Sequence, residues 1–128
     1  MDSERERIQA DLRGLLHGEV LCDDAHVQLY AGDASLYEIR PLGVVRPRHT
    51  ADVVACVRYA ADHGIPLHAR GAGTGLAGES LGPGLVIDFA HTMRRIIGVD
   101  GDQVRVQPGV VHAPDSYTHL TLPTNREV

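Results

Sequence analysis

The 128-residue chain contains no lysine and no tryptophan, and only one phenylalanine and two cysteines. Each shortage closes off a class of chemistry. All 12 basic residues are arginines. Without a lysine there is no P-loop, whose lysine reaches the β- and γ-phosphates, and no Schiff-base catalysis. Cys22 and Cys56 lack Cys-x-x-Cys spacing and have no histidine at finger-like spacing. Neither a zinc site nor a disulfide framework is expected, and a reducing cytoplasm is the expected compartment. No apolar run approaches the ~20 residues of a membrane span, and the opening stretch MDSERERIQADL is charged where an export signal is apolar. The formal net charge of -5 argues against a general nucleic-acid binder, which needs a basic face to displace counterions. The eight histidines, at 17, 26, 49, 63, 68, 91, 112 and 119, form no repeat or cluster, and no metal site is expected.

What is present is an ordinary globular composition, 43% hydrophobic, in a length that suits one domain or part of one. Ser3 followed by Glu6 reads as a capping box, and Ile8, Leu12, Leu15 and Leu16 recur at helical spacing as far as Gly18, which predicts an N-terminal helix within residues 1–18. Residues 19–37 mix acids with small residues and predict an ordered loop with short turns. GVVRP at 43–47 predicts a strand that leaves its sheet at proline. Thr50 is expected to cap the next helix, with Asp52 in its positive first turn and Val53, Val57, Ala60 and Ala61 facing inward until Gly64. IPLHA from 65 predicts a second strand, and a strand–helix–strand unit of this kind places its two strands as parallel neighbours. In GPGLVIDFA, Leu85, Val86 and Ile87 run without alternation, as in a strand buried on both faces. RRIIGVDGDQVRVQPG predicts an antiparallel hairpin turning at Asp100 and Gly101.

The stretch ARGAGTGLAGES leaves the carboxyl end of the second expected strand, the edge where open α/β sheets bind ligands. Glycines suit a phosphate site because they reach backbone angles other residues avoid and let peptide N–H groups approach an oxyanion. Three readings stand side by side. Gly73-x-Gly75-x-x-Gly78 matches the dinucleotide fingerprint literally, with Asp100 some way on, which would make a Rossmann-like NAD site. That fingerprint must open a helix, and Gly82-Pro83-Gly84 leaves no room for one. A plain structural α/β module, with the glycines making a tight surface connection, is the second reading. The third comes from a resemblance.

RPRHTADVVACVRYAADHGIPLHARGAGTGLAGESLGPGLVIDF, with VRVQPGV after it, resembles the N-terminal half of the FAD-binding domain of the vanillyl-alcohol oxidase/PCMH superfamily, in particular its glycolate oxidase/D-lactate dehydrogenase branch. The matching elements are Pro47 with the Thr50-Ala51-Asp52-Val53 helix start, the loop Arg70-Gly71-x-Gly73-Thr74-x-Leu76-x-Gly78, and Gln107-Pro108-Gly109-Val110. The resemblance implies an α+β fold: a first subdomain with a small parallel sheet and flanking helices, then the start of an antiparallel second subdomain. It also implies a flavin-dependent oxidoreductase acting on a small 2-hydroxy acid such as D-lactate or glycolate. Gly71, Ala72, Gly73, Thr74 and Gly75 would cradle the FAD pyrophosphate, with Leu76 and Gly78 in the same loop. Pro47 and the Pro108-Gly109 turn would lie along the cofactor, and Arg70 would add charge or pair with a nearby acid. Relatives that bond FAD covalently often carry a histidine where Thr74 stands, so the implied FAD is non-covalent. The catalytic residues and the electron acceptor are not assigned; they, and any iron–sulfur cluster, would belong to later parts of a longer chain.

The family pattern is expected to occupy residues 19–113 as an incomplete domain. From about Pro114, DSYTHLTLPTNREV has no clean period, does not resemble the family, and looks like translated adaptor read-through, so a non-native tail is expected at 114–128. A chain that holds half a domain is expected to fold poorly and bind FAD weakly when expressed alone.

Overall fold

The computed structural model describes residues 2–111, and the expectation about the tail from Pro114 lies outside them. Helix α1 spans Ser3–Arg13. Its cap is Asp2, one residue ahead of the expected Ser3, with the Asp2 carboxylate accepting from Arg5 N at 2.9 Å. The chain leaves the helix at Gly14 rather than Gly18, which buries Ile8 and Leu12 and leaves Leu15 56% exposed. Residues 19–37 are not the plain loop expected. They contain strand β1 (Glu19–Leu21) and helix α2 (Asp24–Leu29), the latter capped by Asp23 on His26 N. Elements this short do not display a period, which is why the stretch reads as irregular.

Strand β2 (Gly43–Arg46) ends at Pro47 as expected. Helix α3 (Thr50–His63) stops at Gly64, which adopts φ 65°. Its N-cap is His49, without a side-chain bond, rather than Thr50. The buried face of α3 is Asp52, Cys56, Tyr59 and Ala60, while Val57 and Ala61 are exposed. The helix is therefore turned by one residue, ~100°, from the expected stripe. Asp52 decides the rotation: its buried carboxylate accepts N–H bonds from His17, Gly18 and Arg48, each at 2.9 Å, and residue 52 must point inward to do so.

Strand β3 (Leu67–Arg70) and strand β4 (Leu85–Asp88) follow, then a hairpin of β5 (Ile96–Asp100) and β6 (Gln103–Val106) with Gly101 at φ 60° in its turn. The four-stranded sheet has the order β1-β2-β4-β3. β2 and β3 run parallel, as expected, but they are not neighbours, because β4 pairs in parallel with both. All four residues of β4 are buried, so this strand gains most from a neighbour on each side, and the half-exposed β3 takes the edge. β1 adds an antiparallel strand beyond β2.

Alternation along the strands sorts the core. Val20, Val45, Leu85 and Ile87 pack with Ile8, Leu12 and Leu16 from α1 and its exit, and with Cys56 and Tyr59 of α3. Val44 and Val86 face the other way and meet Tyr30, just past α2. On this second face the register sets Arg70 opposite Asp88. Arg46 flanks Asp88 from β2, with Nε 3.9 Å from Asp88 Oδ2. Arg46, Asp88 and Arg70 thus form one row across the carboxyl ends of the three parallel strands.

Candidate functional site

The 71–84 connection leaves β3 at this carboxyl edge and contains no helix, so the dinucleotide fingerprint lacks the element it needs. Gly73 and Gly78 adopt φ of 71° and 77°, left-handed angles that favour glycine. A hollow of about 260 Å³ is lined by Ala69, Gly71, Ala72, Gly73, Thr74, Gly75, Glu79 and Ser80. Across residues 72–80, no backbone N–H donates to another group among the described residues. Backbone donors left unpaired in a partly buried loop make a ready set for an anion.

The hollow suits a diphosphate. Its donors are main-chain groups, and a Cβ built on Gly71 would meet nothing within 4 Å, so the wall there is open. Glu79 is the discordant member. Its Oε1 lies 1.6 Å from where a Cβ on Gly75 would stand, which brings a negative charge to the hollow. The carboxylate is the far end of a flexible side chain and can turn out to solvent.

Of the residues expected from the sequence, Gly71, Ala72, Gly73, Thr74 and Gly75 are brought together in the lining. Arg70 is outside the lining but backs onto it: its guanidinium stands 2.8 Å from where a Cβ on Gly73 would be, donates to Gly32 O at 2.8 Å and sits over the Tyr30 ring, 5.1 Å from its centroid. Leu76 is 80% exposed, and Gly78 backs onto Tyr37, whose ring would stand 2.9 Å from a Cβ at 78. Pro47 is buried at the end of β2, and its carbonyl accepts from the Thr92 hydroxyl. The Pro108-Gly109 turn is seated beyond β4: Gly109 N donates to Met93 O at 2.8 Å, and a Cβ there would lie 2.1 Å from Phe89 O. Pro47, Pro108 and Gly109 stand outside the lining of the hollow. A second hollow, about 520 Å³, follows the open face of the β5–β6 ribbon from Gly98 to Arg105.

Several interacting groups escaped the sequence reading. The Tyr30 hydroxyl donates to Asp88 and accepts from Arg46 Nε and Nη2 at 3.1 and 2.9 Å. Burial and the bond to Asp88 push the Tyr30 phenol above its ordinary range. His68 Nε2 accepts from Gly84 N at 3.1 Å, and burial pushes its pKa down, which keeps the ring in the neutral form that can accept. His17 and His49, far apart in sequence, meet at 3.0 Å, with Asp52 close enough that the three offer ligand atoms within 4.8 Å. The Asp52 carboxylate is already committed to three amides. Burial pushes its pKa up, but those bonds outweigh it and hold the group below its ordinary value of 3.8. The one signal available in advance was Asp52 in the first turn of a helix; nothing pairs positions 17 and 49 from sequence alone.

The chain is similar to several known proteins. D-2-hydroxyglutarate dehydrogenase of Escherichia coli K12 is 39% identical over 84 residues, covering 62% of this chain and 8% of its own. Glycolate oxidase subunit GlcD of the same organism is 35% identical over 115 residues, covering 85% of this chain and 23% of its own. The chain therefore spans less than a quarter of the length of either relative. The crystal structure of p-cresol methylhydroxylase superposes with a TM-score of 0.69 at 20% identity, over 96% of this chain and 26% of its own. The fold is the PCMH type expected from the resemblance, a small, mostly parallel sheet with one antiparallel edge strand and flanking helices, followed by an antiparallel ribbon. Residues 41–114, more than half of the chain, match the FAD binding domain model, and the chain belongs to that family.

Proposed function

We propose that the chain is the flavin-holding part of an oxidoreductase that oxidises a small 2-hydroxy acid of the D-lactate or glycolate type. The observation that carries the reading is the run of unpartnered amides at 72–80 around a hollow at the carboxyl edge of a parallel sheet. Gly71, Ala72, Gly73, Thr74 and Gly75 would hold the pyrophosphate of a non-covalent FAD, each charge-assisted N–H bond contributing roughly 1.5–3 kcal/mol. Pro47 and the Pro108-Gly109 turn would flank the cofactor from the ends of β2 and β4. When bound, the isoalloxazine supplies the redox chemistry. The chain's own part is to grip the phosphates and fix the cofactor against the sheet edge. The relatives named for D-2-hydroxyglutarate and glycolate support the substrate class, an α-hydroxy carboxylate. The domain takes in residues 19–113. Two free, buried cysteines, with thiol pKa values pushed up to about 11 by burial, go with a reducing cytoplasm, and no helix among the described residues is long and apolar enough to cross a membrane.

The test uses the full-length protein. It should purify with visible absorbance near ~450 nm, a general property of oxidised flavin. Gly71→Leu, which adds a side chain over open space, should weaken FAD binding at least ~10-fold, about 1.4 kcal/mol, with the melting temperature of the flavin-free form unchanged. Wild-type flavin affinity in that variant, or preference for a nicotinamide nucleotide in the parent, would sink the reading.

A further inference from the structure

The glycine loop is braced from below by a second loop. Residues 31–39 close on themselves: Ile39 N donates to Ala31 O at 2.8 Å, and Gly32 bridges Glu38. The tip of this closed loop meets the glycine loop at several points. Ala34 N donates to Gly73 O at 2.9 Å. The Ser80 hydroxyl donates to Asp33 Oδ2 at 2.8 Å, while Asp33 Oδ1 accepts from Ser35 N at 2.8 Å. Gly78 lies against Tyr37 and Ser35. From β3, Arg70 reaches Gly32 O, and its guanidinium stands 2.8 Å from where a Cβ on Gly73 would be.

One of these bonds has a directional effect. A peptide unit is planar and trans, so its C=O and N–H point in opposite directions. With Gly73 O turned onto Ala34, the N–H of the same peptide, that of Thr74, points away from the closed loop, and Thr74 lines the hollow. Flipping this peptide would aim a carbonyl at the anion instead. Gly73, at φ 71°, has the conformational freedom to flip, so something must hold it. We propose that the 32–37 loop is a clamp that fixes the Gly73–Thr74 peptide with its N–H toward the cofactor, and that Asp33 is the positioning residue that sets the clamp. The proposal rests on the glycine loop being the pyrophosphate cradle. Asp33 does this with two bonds, one shaping its own loop through Ser35 and one tying that loop to Ser80 at the far end of the cradle. Arg70 serves the same end from beneath, as a brace rather than a phosphate contact.

Asp33→Ala removes both bonds, and Asp33→Asn keeps an acceptor for Ser35 N and a partner for the Ser80 hydroxyl. The readouts, in full-length protein, are FAD affinity after flavin removal and amide hydrogen exchange of Ala34 in the flavin-free form. Asp33→Ala should weaken FAD about 10-fold and speed Ala34 exchange by a similar factor, as expected for two modest hydrogen bonds lost. Asp33→Asn should restore both, which a role through charge would not allow. Faster exchange in β2 and β4 together with Ala34 would mean general loosening and overturns the clamp. Unchanged FAD affinity in Asp33→Ala, with Gly71→Leu still defective, overturns the clamp but leaves the cradle. Unchanged affinity in Gly71→Leu overturns the cradle and the clamp with it.

Discussion

Two connections leave the same end of the sheet and treat their amides in opposite ways. Where β2 passes into α3, the buried Asp52 carboxylate gathers the N–H group of Arg48 from that connection and those of His17 and Gly18 from the connection between α1 and β1. Between β3 and β4, the N–H groups of 72–80 have no acceptor among the described residues. The first set of amides is satisfied from within the chain. The second leaves its donors free for an outside acceptor, and in the proposed reading the FAD pyrophosphate would be that acceptor.

The contrast breaks most severely at Asp52. Asp52→Ala orphans three amides and should lower the unfolding free energy by about 2–4 kcal/mol, read by urea denaturation, while the folded fraction still takes up flavin. A loss of flavin affinity equal to the loss of stability would show that the two connections are not independent. The charge leaves a pH signature. The folded-state pKa of Asp52 is depressed, so its stabilisation is present above the ordinary value of 3.8 and disappears as pH falls through the lower folded value. Acid unfolding should therefore steepen below about pH 4 in the parent and flatten there in Asp52→Asn, a difference visible in pH-jump denaturation curves. Gly71→Leu reverses the Asp52→Ala pattern, with the stability of the flavin-free form kept and FAD binding weakened. The smallest effect belongs to Glu79. Glu79→Gln removes a like charge from the rim and should tighten FAD by about 2–5-fold at low salt, less at high salt, by fluorescence titration. Weaker binding in Glu79→Gln would mean that the carboxylate organises the loop rather than opposing the ligand.

Much of this was legible in the chain. The apolar run 85–87 announced the central strand, Gly64 and Gly101 marked their turns, and Gly82-Pro83-Gly84 ruled out a helix after the glycines. What was not legible depended on distance. β4 slips between β2 and β3 because its four buried residues compete for the central place, a choice no local pattern contains. The face of α3 was misjudged by one residue because a polar side chain, Asp52, overrides the valine stripe to reach amides on another segment. β1 and α2 were too short to show a period. Arg70 reads in the sequence as adding charge to the cradle or pairing with an acid; what the sequence does not show is that strand alternation sets it on the Tyr30 face, with Gly32 O and the phenol ring as partners behind Gly73. The FAD reading itself came from the combination of motifs in order, each of them weak alone.

The position of β3 has one more consequence. Among the described residues it is one of the two edge strands of the sheet, held by a single ladder to β4, and it leads directly into the glycine loop. A strand held on one side can open without breaking the β2–β4 ladder or the main core. The glycine loop is thus mounted on an edge strand, where local opening costs less than at the centre of the sheet.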